Sequence, residues 1–177
     1  QLTPDNSRAY SNTGGAYYMV KRWPEAQQMF ERSLAIKKDY AASSNLATLY
    51  YVQRLYAKSA RMFEEALALN DQDSQVWGNL GAAYHWAPGE RSKATAAFQR
   101  AIRGSEQDLT VNPKDAEAIA RLAGYYAMVG ESRKAEETVN RALAISPENA
   151  LILYHGGTTY EQLGKREKAL YYLGRDS

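Results

Sequence analysis

The 177-residue chain contains no cysteine, which excludes disulfide bonds and thiolate chemistry and leaves the redox compartment undetermined. No apolar run approaches the roughly 20 residues that a membrane-spanning helix needs, and no signal peptide is recognised at the amino terminus. Neither sign of charge dominates, because 22 basic residues stand against 20 acidic ones and the net charge is +2. We therefore expect neither a nucleic-acid partner nor a membrane partner, and the composition favours a soluble, cytoplasmic protein.

Residues that carry catalysis or bind metals are also few. The two histidines, His85 and His155, lie far apart in the sequence, and neither has an obvious nucleophile beside it. A metal site needs three or four converging ligands, and no such spacing occurs. The phosphate-binding pattern GxxxxGK[ST] does not occur either. We therefore expect a protein that is not an enzyme and that holds no metal and no cofactor.

Phenylalanine and tryptophan are scarce, with three residues of each, whereas tyrosine occurs 14 times. Five of the tyrosines have similar surroundings and are separated by 33, 34, 42 and 34 residues. A small residue follows each of them nine or ten positions later, and a large apolar residue follows four positions after that. This period indicates an internal repeat. The tyrosines are Tyr17, Tyr50, Tyr84, Tyr126 and Tyr160.

Each repeat reads as two helices separated by a turn. In the third repeat, Trp77, Leu80, Gly81 and Tyr84 fall on one helical stripe, and the small Gly81 allows a partner helix to approach closely. Turn signals follow the first helix at Pro88-Gly89, Gly130 and Gly164. The second helix of the third repeat then presents Ala94, Phe98 and Ala101, which are again spaced by four and three residues. The chain is therefore predicted to be a series of helical hairpins.

This pattern resembles the tetratricopeptide-repeat family, whose repeat of 34 residues has Trp-x2-Leu-Gly-x2-Tyr in its first helix and Ala-x3-Phe-x2-Ala in its second. The resemblance implies an all-α, right-handed superhelical solenoid of antiparallel helix pairs, with about ten helices in a single domain, 1–177. Because Pro4 stands in register before the first repeat and the last repeat stops inside its second helix, we interpret the chain as a fragment of a longer array. The expected repeats are 7–40, 40–73, 74–115, 116–149 and a truncated 150–177.

The third repeat is eight residues longer than the family pattern. Seven of the extra residues lie between Ala101 and Pro113. Since seven residues make about two helical turns, the insertion lengthens a helix with little change in which face points inward. We predict that the second helix continues through Gln107, Leu109 and Val111; the alternative is a longer loop around Gly104-Ser105.

By the resemblance, the first helices line a concave groove, and such grooves are the usual binding surfaces of helical-repeat proteins. The sixth position of successive repeats carries three asparagines, whose amides could hold the backbone of an extended peptide. Tyrosine and tryptophan further along the first helices belong to residue types that are enriched at interfaces. The alternatives are that the asparagines cap or solvate helices and that the aromatic residues pack between repeats. The candidate groove residues are Asn12, Asn45, Asn79, Arg121, His155, Tyr18, Tyr51, His85 and Trp86.

Some members of the family clamp the terminal carboxylate of chaperones with two lysines and an arginine on the groove. The corresponding positions of the first three repeats are Ser11, Gly15, Asn45, Gln75 and Asn79, so the lysines are missing and this role is not expected.

The resemblance implies a scaffold or adaptor that binds a peptide segment of a partner protein in its groove. A first alternative is a regulatory or sensory segment of a larger bacterial signalling protein, such as a kinase or a transcriptional regulator. A second alternative is self-assembly through exposed terminal helices, where Tyr171, Tyr172 and Leu173 could pack against another copy of the chain.

Overall fold

The computed structural model describes residues 6–174, and this part of the chain consists of ten α-helices joined by short loops, with no strand. The expected all-α fold class is confirmed. Pro4 and residues 175–177 of the fifth predicted repeat lie outside the described residues. The helices are α1 (Ser7–Met19), α2 (Trp23–Ile36), α3 (Tyr40–Val52), α4 (Tyr56–Leu69), α5 (Ser74–Trp86), α6 (Arg91–Val111), α7 (Ala116–Met128), α8 (Ser132–Ile145), α9 (Ala150–Gln162) and α10 (Arg166–Leu173).

The chain divides into two compact units, residues 1–94 and residues 95–177, and the boundary lies inside α6. In the amino-terminal unit, α1 packs against α2 and α3 packs against α4, while α2 also contacts α3 and α4 contacts α5. In the carboxy-terminal unit, α7 packs against α8 and α9 packs against α10, while α9 also contacts α7 and α8. Each unit therefore contains two helical hairpins that pack on one another in sequence order.

The odd-numbered helices all begin after an asparagine or aspartate. In each case a side-chain oxygen accepts a hydrogen bond from a backbone N–H in the first turn, with distances of 2.9–3.2 Å. Such a cap satisfies one of the N–H groups that have no partner inside the helix. The carboxylates also lie favourably at the positive end of the helix dipole. The capping residues are Asn6, Asp39, Asp73, Asp115 and Asn149.

The turns that follow the odd-numbered helices contain one residue with positive φ. After α5, α7 and α9 this residue is a glycine, with φ between 71° and 82°. After α1 and α3 it is Lys21, with φ of 58°, and Arg54, with φ of 60°. A residue with a Cβ atom pays a steric cost in this region that glycine does not pay. The first two turns therefore hold a cation in a backbone conformation that glycine would adopt more readily.

The core of each hairpin depends on close approach of its two helices. Ala26, Phe30, Leu46 and Leu49 are almost fully buried in one cluster of the amino-terminal unit. Gly14 lies directly against Phe30, since an added Cβ would stand 2.7 Å from two atoms of the ring. The core residues of the carboxy-terminal unit that are at most 2% exposed include Ile119, Val139, Ile152 and Tyr160.

Four of the five repeated tyrosines link neighbouring hairpins through their hydroxyl groups, whereas Tyr17 is only half-buried. Each of these four hydroxyls donates to a residue 19 or 20 positions earlier, on the preceding even-numbered helix, while the ring itself is at most 8% exposed. A basic side chain also lies over each of the rings, 4.9–5.6 Å from its centroid, which is within the range of a cation–π contact. The tyrosines and their acceptors are Tyr50 with Glu31, Tyr84 with Glu64, Tyr126 with Glu106 and Tyr160 with Asn140.

Helix α6 is 21 residues long and includes Gln107, Leu109 and Val111, so the insertion forms a helix and not a loop. Ser105 and Leu109, on the added turns, are 4% and 9% exposed, whereas Val111 is 87% exposed. Phe98 and Tyr125 bring α6 and α7 together within the carboxy-terminal unit, with 6.0 Å between ring centroids. The added turns of α6 are therefore partly buried.

Candidate functional site

Helix α3 lies between α1 and α5 and contacts both, so the predicted asparagines stand on neighbouring helices of the amino-terminal unit. Asn12 and Asn45 are exposed and Asn79 is half-buried. Their amides form no side-chain hydrogen bond within residues 6–174. An exposed amide of this kind keeps both its donors and its acceptor available for a ligand.

A first pocket of about 340 Å³ opens between α1 and α3. The aromatic ring of Phe30 on α2 forms part of its wall, and the amide of Asn45 and the hydroxyl of Thr48 are the polar groups contributed by α3. Most of its lining is apolar, which suits an aliphatic or aromatic side chain. The lining residues are Gly15, Tyr18, Met19, Phe30, Asn45 and Thr48.

A second pocket, of about 150 Å³, opens between α3 and α5. Its residues are those of the first pocket moved forward by one repeat: Tyr51 replaces Tyr18, Phe63 replaces Phe30 and Asn79 replaces Asn45. Thr48 lines both pockets, and Ala82 takes the corresponding place in the second. The two pockets are therefore equivalent sites that recur with the period of the sequence.

The structure gathers the aromatic candidates of the amino-terminal unit at the carboxyl ends of the odd-numbered helices. The ring of Tyr51 meets that of Tyr56 edge-on at 5.4 Å, and Tyr56 lies 6.2 Å from Trp86, measured between centroids. Trp86 in turn meets the ring of His85 at 4.9 Å. Tyr56 is absent from the sequence-based candidates, although an aromatic residue directly after a turn could have drawn attention to it.

Large apolar side chains are exposed along the same edge of the amino-terminal unit. Met19 is 79% exposed, Val20 64% and Trp86 58%, while Val52 and Leu55 are about 40% exposed. Single exposed apolar residues are ordinary on protein surfaces, whereas contiguous apolar patches are typical of interaction surfaces.

The imidazole of His85 has a pKa below its ordinary value, because burial disfavours the charged form and the nearby Arg91 adds to the effect. At neutral pH His85 is therefore uncharged, and it adds no positive charge to this end of the surface.

The remaining two candidates lie in the carboxy-terminal unit, and the structure brings them together. Arg121 forms an ion pair with Glu117 on the same helix, α7. Burial lowers the pKa of His155, Arg121 lowers it further, and Glu117 opposes this shift. His155 is therefore neutral at pH 7, and its ring lies 5.9 Å from that of Tyr154 between centroids. Arg121 and His155 thus form a polar pair, in contrast to the mostly apolar pockets of the amino-terminal unit.

The nine candidates thus form separate groups. Asn45 and Tyr18 share the first pocket, Asn79 and Tyr51 share the second, and His85 and Trp86 form the aromatic end. Asn12 lines neither pocket.

A third pocket, of about 320 Å³, lies in the carboxy-terminal unit beside the added turns of α6, and sequence reasoning missed it. Its charged groups are already engaged, since Glu106 accepts from Tyr126 and Arg141 donates to the carbonyl oxygen of Pro113. Leu109 and Leu122 supply the apolar part of the lining.

The part of the chain that the structure describes contains no group of three or more His, Asp or Glu side chains that could hold a metal ion. No helix in that part is long and apolar enough to cross a membrane.

Comparison with protein families gives one match within the chain. The family model described as "Tetratricopeptide repeat" matches residues 7–39, which fall within the predicted first repeat. The resemblance to tetratricopeptide-repeat proteins inferred from the tyrosine period is confirmed.

Among curated proteins, the chain is similar to the BBSome complex member BBS4 of Bos taurus. The two are 31% identical over 106 residues, which make up 60% of this chain and 19% of that protein. The chain therefore aligns with about a fifth of that relative's length.

Several solved tetratricopeptide-repeat structures share the fold. A thermophilic tetratricopeptide-repeat protein of Thermus thermophilus has a TM-score of 0.69 and 22% identity, over 96% of this chain and 89% of that one. YrrB, described as a tetratricopeptide-repeat protein with an unusual peptide-binding site, has a TM-score of 0.58 and 21% identity, over 94% and 82%. MamA of Desulfovibrio magneticus has a TM-score of 0.62 and 17% identity, over 99% and 95%. The likeness places the chain in the all-α helical-repeat fold class.

Proposed function

We propose that this chain is an adaptor that binds a peptide segment of a partner protein across α1, α3 and α5. The observation that carries the proposal is the recurrence of one pocket design at two successive positions, each with an apolar wall, a tyrosine and an asparagine amide. An extended ligand could place one side chain in each pocket, while the asparagines hydrogen-bond to its backbone. The peptide-binding site named for YrrB supports this reading by analogy of fold.

The experiment that tests this proposal compares affinity capture from a cell lysate by the wild type and by a triple variant, Asn12→Ala, Asn45→Ala and Asn79→Ala. A matched control removes three exposed amides from even-numbered helices, Gln28→Ala, Gln99→Ala and Gln107→Ala. We expect the wild type and the control to retain the same partner and the asparagine variant to lose it, with all three equally helical by circular dichroism. Retention by the asparagine variant would place binding elsewhere on the chain.

A second candidate function is a structural subunit of a multiprotein complex, alone or as a segment of a longer chain. It is supported by the 31% identity to a member of the BBSome complex. Native size separation of the lysate, followed by detection of this protein, tests the idea. Migration far above the size of the free protein would support it, and migration at that size would contradict it.

Self-association is a third candidate, and it rests on exposed apolar side chains in the carboxy-terminal unit. On α10, Leu170 is 61% exposed and Tyr171 is 58% exposed, while Leu151 and Tyr154 on α9 are 44% and 50% exposed. Light scattering at increasing concentration tests it, with Leu170→Glu as the variant that should restore a monomer. A strictly monomeric wild type at high concentration would exclude it.

A further inference from the structure

We infer that the peptide bound across α1, α3 and α5 is acidic: its apolar side chains enter the two pockets, and its carboxylates pair with Lys21 and Arg54. This inference rests on the proposed function and names the chemistry of its ligand.

The odd-numbered helices of the amino-terminal unit carry no acidic residue. Across the 39 residues of α1, α3 and α5, neither aspartate nor glutamate occurs, and the formal charge comes from Arg8 on α1. In the carboxy-terminal unit, by contrast, Glu117 lies on α7 and Glu161 on α9. A carboxylate on a ligand would therefore meet no like charge along α1, α3 and α5, whereas a basic ligand would find no counter-ion there.

The acids at the amino ends of α3 and α5 are already engaged, and Glu25 and Glu90, in the segments that follow α1 and α5, form ion pairs with basic neighbours. Asp39 and Asp73 cap the amino termini of α3 and α5, and Asp73 also accepts a hydrogen bond from the hydroxyl of Tyr40. At the carboxyl ends, where the exposed apolar row lies, Lys21 and Arg54 follow α1 and α3 at corresponding positions 33 residues apart. Both side chains are exposed, and neither forms an ion pair within residues 6–174.

The backbone at these two cations is strained in a way that the turn itself does not require. Among residues 6–174, Lys21 and Arg54 are the residues other than glycine that have positive φ, whereas glycine fills this role after α5, α7 and α9. A non-glycine residue pays a steric cost in this region, and strain of this kind is concentrated at functional sites. Because both turns place a cation in this unfavourable conformation, we take the positive charges of Lys21 and Arg54 to contribute to ligand binding.

The cations and the pockets recur together. Met19 lines the first pocket and precedes Lys21 by two residues, and Tyr51 lines the second pocket and precedes Arg54 by three. Each pocket therefore lies beside a helix whose following turn carries one cation. This arrangement differs from a carboxylate clamp, because the charges stand in the turns and not on the helices that line the pockets.

The experiment uses the full chain to select binders from a random 12-residue peptide display library at low salt. The selected peptides are then synthesised with a fluorescent label, together with counterparts in which Glu and Asp become Gln and Asn. Affinities are measured by anisotropy for the wild type and for the double variant Lys21→Asn, Arg54→Asn. Asparagine tolerates positive φ better than most residues, so this variant removes charge and keeps the turn. The matched control is Lys37→Asn, Lys38→Asn, which removes two exposed cations from the loop between α2 and α3.

We expect the selected peptides to be rich in acidic and apolar residues. The double variant and the amide counterparts should each weaken binding about fivefold, as expected for two partly exposed ion pairs, and salt should weaken wild-type binding. The control should bind like the wild type. Selected peptides without an acidic bias, or unchanged affinity in the double variant, would overturn this inference while the peptide-binding proposal stands. Selection of no peptide at all would overturn both.

Discussion

The hydroxyl of Tyr40 donates a hydrogen bond of 2.5 Å to Oδ2 of Asp73, while Oδ1 of the same carboxylate caps α5. One carboxylate thereby fixes the start of α5 and attaches it to the start of α3. The other aspartate caps provide a comparison, because Asp115 caps α7 through a single bond to the backbone N–H of Ala118.

We expect Asp73→Ala to destabilise the protein by more than Asp115→Ala. Loss of a cap costs about 1 kcal/mol, and Asp73→Ala also removes the bond from Tyr40, which adds about 1 kcal/mol. Urea denaturation of the two single variants measures the difference. A double-mutant cycle with Tyr40→Phe isolates the coupling, and a coupling energy near zero would contradict the role assigned to Tyr40.

The repeated tyrosine should matter more for its ring than for its hydroxyl. Tyr84 is 8% exposed, and its hydroxyl donates to Glu64, which is exposed and can be hydrated in its absence. We expect Tyr84→Phe to cost about 1 kcal/mol and Tyr84→Ala to cost about 3 kcal/mol or more. Chemical denaturation of both variants tests the ranking, and a near-neutral Tyr84→Ala would show that the ring is not a core anchor.

The free energy of unfolding should fall in alkaline solution, because folding raises the pKa of several tyrosines. Burial, with the charge of Glu31 and the hydrogen bond to it, raises the pKa of Tyr50 to about 12, and the pKa values of Tyr84 and Tyr126 are raised as well. The folded state therefore favours the neutral phenol. Its contribution is complete below the unfolded-state pKa of about 10 and is lost as the pH rises through the folded-state pKa.

The free energy of unfolding should accordingly decline between about pH 10 and about pH 12 in the wild type, and less steeply in Tyr50→Phe. Urea titrations at fixed ionic strength over this range provide the measurement. Parallel curves for the two proteins would show that Tyr50 does not contribute to the decline.

Replacing the strained turn residues by glycine should stabilise the chain. Lys21 and Arg54 have φ of 58° and 60°, where glycine pays no steric cost. Because glycine also loses more entropy on folding, we expect a net gain of about 0.5 kcal/mol for each of Lys21→Gly and Arg54→Gly. Gly130→Ala, with φ of 82°, is the reverse change and should destabilise by about 1 kcal/mol. Thermal and urea unfolding measure these changes, and a loss of stability in the glycine variants would contradict the prediction.

Two adjacent glycines on α1 should respond to alanine in opposite ways. A Cβ on Gly14 would stand 2.7 Å from the ring of Phe30, whereas a Cβ on Gly15 would have no neighbour within 4 Å. We expect Gly14→Ala to destabilise by about 1–3 kcal/mol through overpacking. Gly15→Ala should stabilise by up to about 1 kcal/mol through helix propensity. Equal effects on the free energy of unfolding would contradict the close approach of α1 to Phe30.

The repeat and the helices could be predicted from the sequence because both depend on the spacing of apolar and small residues along the chain. Tyr84 and Phe98 recur with the period of the chain, so their burial followed from the pattern. The insertion was predicted as a helix because seven residues preserve a helical face. The aspartate caps recur with the same period and could also have been read, since Asp or Asn before an apolar helix is a known start signal.

The pockets could not be predicted in the same way. Their volumes depend on how closely α1, α3 and α5 approach one another and on where the rings of Phe30 and Phe63 point. The sequence supplied Asn45 and Asn79 as candidates but contained no sign that Asn12 would lie outside both pockets. The ion pair of Arg121 was readable, because Glu117 stands four residues earlier on the same helix.

The added turns lengthen α6, and the hydrogen bond from the repeated tyrosine of α7 to α6 is still formed. In the first two repeats the acceptor of the tyrosine bond, Glu31 or Glu64, directly follows the buried phenylalanine of the second helix. The corresponding residue of α6 is Gln99, after Phe98, but Tyr126 donates to Glu106, seven residues further along. Seven residues place Glu106 on nearly the same side of α6 but about 10 Å further along the axis. A chain of this type can therefore gain or lose material in steps of seven residues while each tyrosine still finds an acceptor, whereas a step of five would turn that acceptor away. Insertions and deletions tolerated during the divergence of such arrays should cluster at multiples of seven in their even-numbered helices.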